Sequence, residues 1–166
     1  MKYHLFAHMD KNLVRKGDRV IKNVTPLGTI GTGNGQYLAH LHFSISEGLT
    51  VDELIKYVGG WSKDKVKKYY RDPRNVDFDK MFDADMDAGT LGHDWLDVIP
   101  QGYHPGIDVN GLGGGNTDFG MPFKSSCNGV VIYEKRTWFK NAGWGNIIVV
   151  EEQELSCTHC PIHCPK

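Results

Sequence analysis

The sequence predicts a mainly β, β-rich α+β fold in which two β halves flank a partly helical insert. Alternating polar and apolar residues, the pattern of half-buried strands, recur in both halves of the chain. The clearest such segments are residues 3–9, 38–46, 129–134 and 146–151. Turn-forming residues separate them, and the chain holds 20 glycines among its 166 residues. We therefore expect many short strands joined by tight turns.

The domain division follows from where this strand pattern stops. We expect a single domain over residues 1–152, because a chain of 166 residues suits one domain with its own core. Its first β half is 1–46, its insert is 47–101 and its second β half is 102–152. Residues 153–166 form a tail rich in cysteine and histidine, which we expect to be flexible.

The insert carries the helix signals. A Thr-x-x-Glu capping box at residues 50–53 predicts a helix over residues 51–58. Ser62 can cap a second helix over residues 63–70. The stretch 77–87 is acidic and is predicted to be irregular.

Composition and charge limit the classes of function. Hydrophobic residues make up 40% and charged residues 23% of the chain, as in ordinary globular proteins. A net charge of -1 gives no electrostatic basis for nucleic-acid binding, and we expect none. No apolar run reaches membrane-spanning length, and residues 1–14 lack the apolar core of a signal peptide.

The four cysteines fall into two groups. Cys127 stands alone and is predicted to be a small buried residue. The other three stand near the end of the chain with two histidines, in the set Cys157, Cys160, Cys164, His159 and His163. These offer enough soft ligands for a second zinc, and they could also pair as disulfides in an oxidising compartment. Two prolines and a single apolar residue in this stretch favour a flexible tail without a structural metal.

The segment HLHF at residues 40–43 is the sharpest local signal. On a strand, His40 and His42 point to the same face, whereas Leu41 and Phe43 point to the other. Taken alone, this pattern fits a half-buried strand with two surface histidines about as well as a site.

A second pattern joins a histidine and a carboxylate. Between His104 and Asp108 stand Pro105 and Gly106, which disfavour a helix and favour an extended chain. Positions 104, 106 and 108 then share one side, and the glycine leaves room for an ion. Taken alone, this pattern would fit a loop histidine beside a solvated aspartate.

Together the two patterns predict a catalytic metal site. Two histidines and one carboxylate are a common ligand set for zinc, with one position left open for water. His40 would lie next to the metal without needing to bind it, as a candidate general base or proton shuttle. His8 is a candidate second histidine, although nothing near it excludes a purely structural role in its strand.

These residues resemble the M23 family of zinc metallopeptidases, the lysostaphin- and LytM-type peptidoglycan endopeptidases. The H-x3-D motif of that family is matched by residues 104–108 and its HLHF motif by residues 40–43. Its upstream Y-x-H segment is matched at His8, with Phe6 in place of the tyrosine. The connecting segments that are also similar are residues 14–20, 27–35, 126–131 and 143–150.

The order of the motifs departs from the family pattern. In the family the H-x3-D half precedes the HLH half, whereas here it follows. A circular permutation, natural or engineered, would produce this order, as would half of a longer tandem arrangement. The resemblance thus implies an antiparallel β-sheet of the LytM/lysostaphin type, circularly permuted. The strand at 146–151 would then pair with the strand at 3–9 as its neighbour.

The resemblance also implies a role for each residue of the site. The ligands of Zn²⁺ would be His42, His104 and Asp108. The catalytic histidines would be His8 and His40, one acting as the base and the other steadying the oxyanion. Residues that would line the groove, or serve only in packing, are Tyr103, Asn110 and Trp144.

The implied function is hydrolysis of peptide cross-links in bacterial peptidoglycan, at the cell wall, after secretion or phage delivery. The alternative is a catalytically inactive M23-like module that binds a partner or forms part of a phage particle. A nucleic-acid-binding zinc module built on the cysteine tail is disfavoured by the charge balance. The long insert lets the two halves meet within one chain, so we expect a monomer rather than a domain-swapped dimer.

Overall fold

Strands dominate the computed structural model, which describes residues 1–56, 61–136 and 144–154. They are β1 (Lys2–Asn12), β2 (Arg19–Val20), β3 (Pro26–Ile30), β4 (Leu41–Glu47), β5 (Tyr70–Arg71), β6 (Met86–Ala88), β7 (Val98–Ile99), β8 (Gly102–Tyr103), β9 (Ile107–Gly111), β10 (Pro122–Lys124), β11 (Gly129–Lys135) and β12 (Asn146–Glu152). The helices are α1 (Val51–Ile55), α2 (Lys63–Tyr69) and α3 (Phe78–Phe82), with a 3₁₀ turn at Pro73–Asn75. The expected mainly β chain with a partly helical insert is confirmed.

One ten-stranded sheet organises these elements. Its main path runs β2–β11–β12–β1–β4–β9–β6, while β3 pairs with β1 and β10, and β5 pairs with β4. The ladders between these strands are antiparallel. β12 and β1 are neighbours, with Tyr3 opposite Glu151 and Phe6 opposite Ile148, so the predicted pairing of these two strands is confirmed.

β1 lies at the centre of the sheet and contributes side chains to a hydrophobic core on each face. Because successive side chains of a strand point to opposite faces, Phe6 joins one cluster with Phe43, while Leu5 and Ala7 join the other. All four side chains are fully buried. Burial of a large apolar side chain such as Phe6 contributes about 1.5–3 kcal/mol to folding.

The insert covers both of these faces. Phe78 and Met81 of α3 pack into the cluster that contains Phe6 and Phe43. Leu54 of α1 and Val66 of α2 pack into the cluster on the opposite face. The insert therefore belongs to the core of the domain and does more than connect its two β halves.

The predicted helices of the insert begin where their caps indicate. Thr50 accepts a hydrogen bond from the Glu53 backbone N–H, and the Glu53 carboxylate accepts one from the Thr50 N–H, which completes the capping box. Ser62 caps α2 by accepting a hydrogen bond from the Lys65 backbone N–H, and α2 ends at Tyr69, one residue before the predicted end. α1 is shorter than predicted because Lys56 already has an extended backbone. Residues 57 and 58 lie outside the described ranges.

The prediction that residues 77–87 are irregular is wrong. α3 lies within them, capped at its start by the Asp77 side chain and ended by Asp83, whose backbone is left-handed with φ 55°. Its apolar residues Phe78, Met81 and Phe82 follow the i, i+3, i+4 spacing of a buried helix face. The two aspartates contribute to the acidity of this stretch, but they serve as helix caps.

Several smaller expectations can be compared directly. β4 begins at Leu41, later than the predicted start at 38, and His40 forms only an isolated bridge with Gly31. Cys127 is buried, as predicted. The cysteines and histidines of the tail lie outside the described ranges. Within those ranges, no helix is both long enough and apolar enough to cross a membrane.

A buried histidine joins β1 to β12 on the side of the sheet away from His8. His4 Nδ1 lies 2.7 Å from the Ser126 hydroxyl, and His4 Nε2 lies 3.4 Å from the Glu152 carboxylate. Lys2 also pairs with Glu152, at 2.7 Å. Burial lowers the pKa of His4 from its ordinary value of 6.5 to about 4, because the charged imidazolium would lose its water.

We predict that His4 makes the fold sensitive to acid. Below pH 6.5 the unfolded chain takes up a proton that the folded His4 resists until about pH 4. Stability is therefore lost as the pH falls through this window, by roughly 2 kcal/mol between pH 6.5 and pH 5. Urea unfolding with a chelator at both pH values should show a smaller loss in His4→Gln. Equal losses in the two proteins would contradict the prediction, since other buried histidines titrate in both.

Candidate metal centre

Three side chains that were predicted as ligands meet at one buried point. His42 Nδ1 lies 3.0 Å from His104 Nε2. Asp108 Oδ1 lies 3.4 Å from each of these nitrogens. Around a tetrahedral ion with bonds of ~2.0–2.1 Å, neighbouring ligand atoms lie about 3.3 Å apart. The triad therefore has the spacing that one such ion requires, and it could hold a metal.

The pairing of β4 with β9 places these ligands. His42 and Asp108 stand directly opposite each other in that ladder. Opposite residues of an antiparallel pair have Cβ atoms roughly 4.5–5.5 Å apart on one face. His104 approaches from the chain before β9, and Gly106 between them makes the approach possible. A Cβ atom at Gly106 would lie 2.3 Å from the Phe43 carbonyl oxygen and 2.9 Å from the His42 ring.

The insert orients two of the three ligands. His104 Nδ1 lies 3.1 Å from the Asp94 carbonyl oxygen. Because a carbonyl only accepts, Nδ1 carries the proton and Nε2 presents its lone pair to the centre. The His93 backbone N–H donates to Asp108 Oδ2 at 3.2 Å, which leaves Oδ1 directed at the two histidines. Such outer contacts fix both the tautomer and the angle of a metal ligand.

The protonation states at the centre suit a cation. Burial is the main cause that lowers the pKa of His42 to about 4, so this imidazole is neutral at ordinary pH. Burial alone would raise the pKa of Asp108, but its contacts with His104 and His42 hold the pKa well below the usual range. A neutral imidazole and a charged carboxylate are the forms that bind a metal.

A β-bulge in β1 brings His8 to the same place. The β1–β12 register shifts between Ala7 and Met9, and His8 takes a positive φ of 65°. Its ring centroid lies 4.8 Å from that of His40 and 5.9 Å from that of His42. Burial, followed by the nearby imidazoles of His40 and His42, holds the pKa of His8 well below 6.5. His8 is therefore a neutral imidazole beside the triad.

A backbone contact sets the tautomer of His40. Its Nδ1 lies 2.8 Å from the Leu38 carbonyl oxygen, which can only accept. Nδ1 therefore donates, and Nε2 keeps a lone pair that can take up a proton. Although His40 precedes β4, it lines the same pocket as His42, as the H-x-H pattern predicts.

The centre opens into a pocket whose wall comes partly from the insert. Trp61, His93, Ile99 and Gln101 line it beside the histidines. The sequence did not predict these residues, nor the backbone contacts by which His93 and Asp94 orient Asp108 and His104. No local motif marks them, because pairings outside the two motifs bring them to the site. Trp61 bridges Gly102, β7 pairs with β8, and β6 beside β9 leads the chain to His93.

The three residues predicted to line the groove all lie near the triad. Tyr103 and Trp144 line the pocket, and the Trp144 ring centroid is 4.7 Å from that of His42. Asn110 is buried beneath an adjoining pocket, where its amide donates to the Asp108 carbonyl oxygen at 3.4 Å. Their roles in binding a substrate stay predictions.

Comparisons with known proteins found no match, so the fold and the site are described from the structure alone. No model of a known protein family matches the chain, and no curated protein and no solved structure matches it either. The described residues therefore define a class by structure alone. It is a β-rich protein with an antiparallel sheet and a buried triad of two histidines and one aspartate that could bind a metal.

We predict that the purified chain binds on the order of one zinc ion at this triad. His42→Ala and Asp108→Ala should each weaken binding by at least about 100-fold, since even outer contacts of a metal site contribute 10–100-fold. Metal content after dialysis, measured by mass spectrometry, tests this. The control His4→Gln alters a buried histidine away from the triad and should keep the metal. Full zinc content in Asp108→Ala would disprove the assignment, and removal of residues 153–166 should change nothing.

Proposed function

We propose that this protein is a zinc-dependent endopeptidase that hydrolyses peptide cross-links of bacterial peptidoglycan. The observation that carries the proposal is the buried triad of His42, His104 and Asp108, whose spacing suits one ion. Its accessible side faces a pocket that also holds His8 and His40. A ligand set beside two further imidazoles has the parts that metal-assisted hydrolysis requires.

The donor set favours zinc among common ions. Imidazole nitrogens suit zinc, whereas calcium and magnesium prefer sites made wholly of oxygen. Three protein ligands leave a fourth position open, which is typical of catalytic rather than structural zinc. The open position would face the pocket, where a substrate can enter.

The two remaining imidazoles supply the proton chemistry. Bound zinc would polarise the scissile carbonyl and activate a water molecule. The lone pair on His40 Nε2 is available to take a proton, and the half-buried neutral His8 can do the same or donate a hydrogen bond to the oxyanion. We assign one imidazole as the general base and the other as the hydrogen-bond donor to the oxyanion. The variants described below distinguish which is which.

The substrate class comes from the resemblance to M23 peptidases. The H-x3-D, HLHF and upstream histidine motifs correspond to the five residues that meet here, from His8 to Asp108. The circularly permuted LytM-type fold and action at the cell wall belong to the same proposal. Because all five positions hold competent residues, an active enzyme is favoured over an inactive binding or phage structural module.

We predict that the zinc-loaded protein releases peptide fragments from purified cell walls. Walls with different cross-bridge chemistry should be digested in parallel, and the fragments analysed by mass spectrometry to identify the bond that is cut. A chelator and the His42→Ala variant should abolish release, because both remove the metal. Release that continues in the chelated protein, or no release from any wall by the zinc-loaded protein, would refute the proposed activity.

We predict that His8→Ala and His40→Ala keep zinc and lose activity by roughly 100-fold or more, the usual contribution of general acid–base groups. Metal content and the rate of wall digestion separate this outcome from a ligand role. The variant that lacks the base should also lose the fall in rate at acidic pH that protonation of the base causes. If His40→Ala loses its metal, the division between ligands and catalytic residues is wrong.

A further inference from the structure

His93 stands at the junction of two pockets that meet at the metal centre. The first, which we call the aromatic arm, is walled by Trp61, Tyr103 and Trp144. The second, which we call the glycine arm, is walled by Gly92, Gly114 and Gly115 with Leu38 and Leu91. His40, His93 and Asp108 line both arms. A chain that crosses the triad from one arm to the other must therefore pass these three side chains.

The backbone of His93 is held rigidly. Its N–H donates to Asp108 Oδ2 at 3.2 Å, and its carbonyl accepts from the Asp108 N–H at 2.9 Å. The preceding Gly92 makes this closeness possible, because a Cβ atom there would lie 2.7 Å from the Asp108 Cβ. The backbone position of His93 beside the ligand strand is thus fixed by main-chain contacts.

The His93 ring, by contrast, is available to an external group. It is exposed, and its described contact is edge-on packing with the His104 ring, with centroids 5.7 Å apart. Within the described ranges, no residue forms a hydrogen bond with either ring nitrogen. Nor does His93 belong to the cluster whose ligand atoms converge, so the geometry does not make it a fourth ligand.

We propose that His93 is a substrate-contacting residue, whose imidazole hydrogen-bonds the backbone of a peptide lying across the two arms. An extended peptide carries a carbonyl or an N–H at each step, and an imidazole anchored beside the triad can pair with one of them. The contact would hold the scissile bond in register over the centre. This inference rests on the proposed peptidase function and assigns a binding role to the insert.

The test compares two hydroxamates on the zinc-loaded protein. Acetohydroxamate reaches only the metal, whereas acetyl-Ala-Ala-hydroxamate also places a peptide backbone in an arm. In His93→Ala, affinity for the peptidyl probe should fall about tenfold, equivalent to ~1.4 kcal/mol, a typical value for one hydrogen bond. Affinity for acetohydroxamate and the zinc content should not change. The amide of His93→Gln should restore part of the loss.

A matched control is Val98→Ala, which alters an exposed residue of the same insert outside both pockets and should bind both probes normally. The same His93→Ala protein should digest walls with a raised KM and a less affected kcat. Equal affinity of His93→Ala and wild type for the peptidyl probe would overturn the inference alone. Weakened binding of both probes, or loss of zinc, would overturn it in favour of a metal-ligand role. Failure of the wild type to bind either probe would overturn the proposed function and this inference together.

Discussion

The candidate site depends on one ladder, the antiparallel pairing of β4 with β9. That register sets His42 opposite Asp108, and a shift by one residue would turn one of them to the other face of the sheet. Phe43 opposite Ile107 belongs to the buried core, so the hydrophobic effect holds the register that the ligands need. The core thereby also fixes the approach of His104, since Gly106 packs directly against the Phe43 carbonyl. Packing energy distributed over the sheet is thus what places polar atoms a few ångströms apart.

The insert gives this ladder its second support. β6 pairs with β9 and carries the chain to His93 and Asp94, whose backbone groups orient Asp108 and His104. The helices of the insert pack on both faces of the sheet, so the segment that orients the ligands is anchored in both cores. Orientation and burial act in the same direction. Burial and the contacts within the triad leave His42 neutral and Asp108 charged. In these states a bound cation can compensate for the hydration that the two side chains lose on burial.

Whether a feature could be predicted from the sequence depends on how far apart in the chain its interacting residues lie. Local signals predicted the caps at Thr50 and Ser62, because a cap is a contact between residues three apart. The meeting of His42 with Asp108 was predicted only by combining two motifs and a family resemblance, since the intervening chain gives no hint of their distance. α3 was missed because the acidity of its flanks concealed an apolar spacing. His93 and Asp94 were missed for a stronger reason, since their contacts use backbone atoms that every residue type possesses.

The motif order can be understood from the same ladder argument. A site built on strand pairing requires neighbours in the sheet, and chain order matters only through the connections. β12 pairs with β1 along six matched positions, and Lys2 and Glu152 form an ion pair across that ladder. The ends of β12 and β1 that carry Glu152 and Lys2 are therefore close enough for a short turn to connect the two halves. In the present order the halves are instead connected by the insert, which packs on both faces of the sheet and lines the pocket. The proposed permutation would thus account for why residues of the insert, rather than of the two motif halves, orient His104 and Asp108.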